Sequence, residues 1–186
     1  GRDILLAEMT GGHVHIAHMS AWTTLEAVRQ GKSRGVHVTA EVCPHHFTLT
    51  DAAVAGSDKF WSTDGQGVFG LAGRTDLPSW PAYDTNFKMN PPLRSAQDRA
   101  AILDGLADGT IEVLCSDHAP HCDFEKEVEF DYAPFGITGL ETELALSLMQ
   151  LYHAKRLKLS ELITKFTMSP ARLLRLAKGT LSVGAD

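Results

Sequence analysis

Ile111-Glu112-Val113-Leu114-Cys115-Ser116-Asp117-His118-Ala119-Pro120-His121 runs from a mostly apolar stretch straight into a polar tail holding an aspartate and two histidines. A short buried strand whose end carries chemistry is the pattern of a parallel α/β sheet, where functional side chains gather at the carboxyl ends of strands. Just upstream, Ser95 is placed to cap a helix with Ala96, Ala100, Leu103 and Leu106 near helical spacing and Gly109 at its end. Before that, Val36 to Val42 reads as a β-branched strand followed by Pro44-His45-His46. Thr23-Thr24-Leu25-Glu26 predicts a capping box for a helix running to about Arg34, closed by Gly35. His13 to Met19 predicts another strand, and Arg2 to Thr10 a helix closed by Gly11-Gly12. Downstream, Leu140, Leu144, Leu148 and Leu151 predict a core-facing helix stripe, Ser169-Pro170 a further helix start, and Thr180 to Val183 is strand-like. Alternating helices and short strands give a parallel α/β architecture, doubly wound or barrel. No Gly-rich phosphate loop follows a strand, which favours a barrel segment.

The 186 residues suit one domain, or one and a fragment. Hydrophobic residues make up 44% and charged residues 22%, a globular balance that excludes disordered and collagen-like classes. Lys plus Arg number 17 against 23 acidic residues, and the net charge of −6 disfavours nucleic-acid or anionic-membrane partners. No apolar run approaches the ~18 residues that span a bilayer, and no targeting leader is readable. The three cysteines are too few for a disulfide framework, so a reducing cytoplasm is expected. The nine histidines stand out, and they cluster. The chain opens inside a helical pattern and stops just after a strand-like one, so a piece of a longer protein is expected.

His18 ends the first strand, His45 and His46 follow the second, and Asp117, His118 and His121 end the third, bringing three strand ends to one rim. Strand parity puts His13 and His15 on one face and turns His18 to the other. His13-Val14-His15 resembles a two-histidine metal motif, but at the start of its strand it reads as structural. Ile111, Val113, Cys115 and Asp117 share a face, so Asp117 emerges at the rim, either to bind a metal and take a proton or to cap a helix. Cys115 reads as a small buried hydrophobe. Pro91-Pro92 forces an extended backbone that presents Asn90 to an amide-containing ring, or forms only a rigid connector. Residues 56–86, rich in Gly, Asp, Pro, Trp and Phe and without clear period, read as a lid or an inert insertion.

Five segments in order resemble the dihydroorotases of the amidohydrolase superfamily: His15 to Ser20, Thr39 to His46, Lys88 to Arg94, Ser116 to His121 and Pro134 to Thr142. The resemblance implies a partial TIM-type (β/α)8 barrel over 1–186, roughly strands six to eight with their following helices. It implies interconversion of N-carbamoyl-L-aspartate and L-dihydroorotate in pyrimidine biosynthesis, with one or two Zn2+ ions in the intact enzyme. By matching motifs, His18 and Asp117 correspond to zinc ligands, with Asp117 also the catalytic acid–base group. Asn90 and His121 match substrate-contacting positions, and Phe135-Gly136 a backbone pair that holds the pyrimidine ring. Allantoinases and hydantoinases are similar on the strands, but Met89-Asn90 and His121 favour dihydroorotase. The family's first-strand His-x-His, bridging ligand and fifth-strand histidine are absent, so the chain alone is expected to lack most zinc ligands. The alternatives are an inactive dihydroorotase-like scaffold subunit or a related allantoinase or hydantoinase. Expected partners are a small-molecule substrate and, for the parent, a second copy of itself or aspartate carbamoyltransferase.

Overall fold

A computed structural model describes residues 1–184, the side chain of Asp64 apart, so the last two residues of the expected 1–186 domain lie outside the described residues. In chain order the elements are α1 (Arg2–Thr10), β1 (Val14–Ile16), α2 (Trp22–Ser33), β2 (Val38–Val42), α3 (Pro44–Thr48), α4 (Ser57–Phe60), α5 (Gln66–Val68), α6 (Ala96–Ala107), β3 (Val113–Leu114), α7 (Asp123–Lys126), α8 (Leu140–Ser147), α9 (Leu159–Phe166) and α10 (Met168–Leu173). The strands form a parallel sheet in the order β1-β2-β3, with Val14 opposite Val38 and Glu41 opposite Val113. No helix among the described residues is long and apolar enough to cross a membrane.

The two faces of the sheet differ in kind. Val14, Ile16, Val38, Ala40, Val42 and Leu114 turn toward the helices and join a core with Ile4, Leu25, Val28, Ile102 and Leu106. Each fully buried Leu or Ile there contributes about 1.5–3 kcal/mol by leaving water. The opposite face carries His15, Thr39, Glu41, Val113 and Cys115. Consecutive parallel strands with a helix-covered outer face and a polar inner face are an arc of a (β/α)8 barrel, not a doubly wound sheet, which helices cover on both sides. Lys165 of α9 donates to Ile111 O at 2.5 Å and so fastens the entry to β3.

Local signals and structure part company at several places. All three strands are shorter than the periodicity predicts: β1 stops at Ile16, β2 begins only at Val38, and β3 keeps only Val113–Leu114. The capping box at Thr23 does not form: α2 starts at Trp22, whose N–H donates to Asp98 Oδ1 at 2.9 Å. That cap comes from α6, where Ser95 caps the helix as its sequence requires. The leucine stripe does not face the core as a unit. Leu140 and Leu144 are about half exposed, and only Leu151 is fully buried. α8 passes into a π-wound stretch, Leu148–His153, whose wider turn shifts the phase of the buried face. A further helix does start at this point, but α10 begins at Met168, so Ser169 lies in its first turn with Pro170 and not at its cap. Thr180 to Val183 pairs with no strand among the described residues, and Leu181 and Val183 are fully exposed.

Residues 56–86, expected to lack regular structure, contain α4, α5 and a π-wound turn between them. Their aromatic residues build a second apolar cluster in which Phe60, Met89 and Leu93 are buried beneath Trp61, Phe69, Trp80 and Phe87. Trp80 Nε1 donates to Ala53 O at 2.8 Å, and Trp61 Nε1 to Pro78 O at 2.6 Å.

Candidate active site

Glu41 is the centre of the polar inner face. One carboxylate oxygen, Oε2, lies 3.1 Å from His15 Nε2, and the other, Oε1, lies 3.0 Å from His18 Nδ1. His15 Nδ1 is 2.8 Å from Thr39 Oγ1, which is also 2.8 Å from His13 Nε2. The parity expectation for His18 therefore fails: it reaches the same carboxylate as His15. The cause is backbone, because β1 ends at Ile16 and His18 takes a left-handed conformation, φ 49°, that resets the alternation. Asp117 follows β3 in the same way, also at φ 49°. Left-handed backbone is uncommon for residues other than glycine, and such positions gather at functional sites.

These two bends bring His18 Nε2 to 3.6 Å from Asp117 Oδ1, with side chains 33% and 29% exposed at the rim. Behind them, the thiols of Cys43 and Cys115 lie 3.5 Å apart, at 3.7 and 3.8 Å from His18 Nδ1. An imidazole nitrogen and a carboxylate oxygen at that separation can bind one zinc ion together, given zinc's ~2.0–2.2 Å bonds to nitrogen and oxygen. The donor set fits the ion. The charge state of the surroundings fits too. The His15 imidazole holds the Glu41 carboxyl below the usual carboxylate range, against an opposing push from burial, and the Cys115 thiol adds to the lowering. Contact with Cys43 and burial push the Cys115 thiol up, so it stays protonated.

The remaining predicted residues sit in loops tied to this rim. His46 donates from Nε2 to Pro91 O at 2.9 Å, fastening the segment that carries Asn90. Asn90 itself is exposed. Gly136 N–H donates to Lys88 O at 3.0 Å, which joins the 88–94 segment to Phe135-Gly136. His121 Nε2 lies 3.0 Å from Phe135 O, and Lys88 Nζ donates to Phe130 O and Asp131 O while standing 4.7 Å from the Phe135 ring centroid. His121 and Gly136 line a cleft of about 630 Å3 with Phe87, Lys126 and Thr138. Gly136 has φ 121°, and a Cβ there would come within 2.6 Å of Ala119 Cβ. Burial, with the neighbouring His46 and His18 charges, lowers His45 to about 3, so it is a neutral core group.

Sequence reasoning brought His46 to the rim without a role and did not assign Glu41, Cys43 or Lys88 to the site. For Glu41 a signal existed: an acidic residue in the middle of a buried β-branched strand needs partners.

No family model matches the chain. It is 50% identical over 185 residues to the dihydroorotase of Pelotomaculum thermopropionicum, a match covering 100% of this chain and 37% of that protein. It is 46% identical over 184 residues to the dihydroorotase of Endomicrobium trichonymphae, covering 98% of this chain and 37% of that one. The chain is dihydroorotase-like from end to end. It spans about 37% of the length of these curated relatives. Among solved structures it superposes on the L-hydantoinase of Arthrobacter aurescens with a TM-score of 0.78 and 28% identity, covering 100% of this chain and 36% of that one. The D-hydantoinase of Thermus sp. matches at TM-score 0.78 and 25% identity, over 100% of this chain and 36% of its own. This segment is thus a barrel arc similar along its whole length to part of those dihydroorotases and hydantoinases, and its inner rim holds the residues described above.

Proposed function

We propose that this chain is part of a zinc-dependent dihydroorotase, which interconverts N-carbamoyl-L-aspartate and L-dihydroorotate in the cytoplasm for pyrimidine synthesis. The observation that carries the reading is the 3.6 Å approach of His18 and Asp117 in a chain whose curated relatives are dihydroorotases. His18 Nε2 and Asp117 would hold the metal, with further ligands from outside this chain. Zinc supplies Lewis acidity there, polarising the amide carbonyl and making water acidic enough to attack near neutral pH. Asp117 takes the proton of the attacking water and returns it to the departing ring nitrogen. Such positioned transfer contributes roughly 10²–10⁴-fold. In the reverse direction Asp117 accepts the proton of the carbamoyl nitrogen as the ring C–N bond forms, and returns it to the carboxyl oxygen whose C–O bond breaks, which leaves as water. Asn90 and His121 orient the ring and its carboxylate. Phe135 O, which already accepts from His121, has a second lone pair for a ring N–H, and Gly136 N–H shares its proton between Lys88 O and a ring carbonyl.

A catalytically inactive scaffold for aspartate carbamoyltransferase is disfavoured, because such a subunit has no use for His18 and Asp117 held this way. A hydantoinase reading is supported by the 28% identical L-hydantoinase structure. Turnover of dihydroorotate, hydantoin and dihydrouracil by the full-length, zinc-loaded parent decides among the three. We expect dihydroorotate alone to be used well. Preference for hydantoin, or no turnover with zinc bound, overturns the assignment.

A further inference from the structure

We propose that Glu41 is a positioning residue that fixes His18 with its proton on Nδ1 and its Nε2 lone pair free for a metal ion; the inference rests on the zinc-site reading above. Donor and acceptor accounting carries it. An ionised carboxylate only accepts hydrogen bonds. His15 Nε2 at 3.1 Å and His18 Nδ1 at 3.0 Å stand at ion-pair distance from its two oxygens, so a proton on each facing nitrogen is the favoured placement. In the neutral form His15 then carries no proton on Nδ1, and the Thr39 hydroxyl, 2.8 Å away, is placed to donate to it. The Thr39 oxygen in turn accepts from His13 Nε2 at 2.8 Å. With His15 neutral, one carboxylate thus orders a run of contacts through His15, Thr39 and His13 while it also faces Nδ1 of His18.

The consequence falls on His18. Its Nδ1 faces Glu41 and the thiols of Cys43 and Cys115, and its Nε2 faces Asp117 at 3.6 Å. With Nδ1 committed, the lone pair points to the side where the second carboxylate stands. His18 also needs holding, because its left-handed φ of 49° is a conformation a free residue rarely adopts. Carboxylates that accept from the far nitrogen of a ligating histidine fix ring orientation and raise its basicity, and losing them typically costs about 10–100-fold in metal affinity.

The test uses the full-length protein and its zinc affinity, measured by competition with a chromophoric chelator. Glu41→Gln keeps the shape, but its amide accepts from one imidazole and offers N–H to the other, so it cannot hold both. We expect it to weaken zinc by about 10–100-fold, Thr39→Val to weaken it less, and His18→Ala to weaken it most. Glu41→Gln binding zinc as tightly as the unmodified protein overturns the proposal. Unchanged affinity in His18→Ala overturns instead the zinc-site reading beneath it. A second measurement stands even where Glu41→Gln fails to fold: 15N spectra of the zinc-loaded, unmodified protein should show the His18 ring proton on Nδ1. A His18 with no proton on Nδ1 also overturns the proposal.

Discussion

Asp117 and His121 leave the same strand end, yet they meet different surroundings, and their substitutions should separate. Asp117 faces His18 across 3.6 Å, whereas His121 is engaged with Phe135 O and lies 3.8 Å from Glu125. In the full-length protein, Asp117→Asn should lower kcat by orders of magnitude in both directions. His121→Asn should leave zinc occupancy intact and change KM as well as kcat, as loss of orientation requires. Equal loss of zinc in both variants would contradict this division. His45 gives a pH prediction. Burial places its folded value near 3, below the ordinary 6.5, so between those values the unfolded chain binds more protons than the folded one. The stability tied to keeping His45 neutral is therefore complete above about pH 6.5 and drains as pH falls toward 3. Urea midpoints of the full-length protein should fall from pH 7.5 to pH 5, and His45→Gln should flatten that fall. An unchanged slope in the variant would assign the acid sensitivity to other groups, such as His46, which burial lowers too.

Elements, more than single residues, show where the sequence was readable. The order from α1 to β2 and from α6 to β3, the parallel sheet and the strand-end placement of His18 and Asp117 followed from β-branched runs, glycine stops and the Ser95 cap. What escaped was non-local. The cap of α2 is a carboxylate from α6, far along the chain, and nothing near Ala21 announces it. The bends at His18 and Asp117 reset side-chain parity, which period-two reasoning cannot anticipate. The role of Glu41 depends on two histidines arriving from another strand. The aromatic cluster under residues 56–86 likewise comes from residues without period, brought together by tertiary contact. That cluster makes a prediction of its own. Trp80→Ala removes the ring that packs on Phe60, Trp61 and Phe87 and its bond to Ala53 O. We expect a loss of about 3 kcal/mol, in the usual range for a large aromatic side chain. Hydrogen exchange should rise across 57–87 while β1 and β2 stay protected, and uniform deprotection would show that the two clusters open together.

For the whole molecule, the expected outcome is that the 186-residue chain alone does not turn over dihydroorotate. Catalytic zinc sites take about three protein ligands, and His18 and Asp117 are two. Steady turnover by the purified, zinc-loaded chain would sink this. The same chain exposes Leu5, Leu6 and Met9 on α1 and Leu140 and Leu144 on α8, each about half exposed or more, so light scattering should show association in isolation. The order of the strands bears on how the chain is made. β1, β2 and β3 pair in the order in which a ribosome releases them, so no strand waits for a later one to be threaded between its neighbours. At about 5–20 residues per second, β3 emerges several seconds after β2. Within that pause Phe60, Trp61, Trp80 and Phe87 have all left the tunnel and can close over Met89 and Leu93. Synthesis itself then sets the sequence of assembly: first the β1–β2 pair, next the aromatic cluster, and last the strand that delivers Asp117.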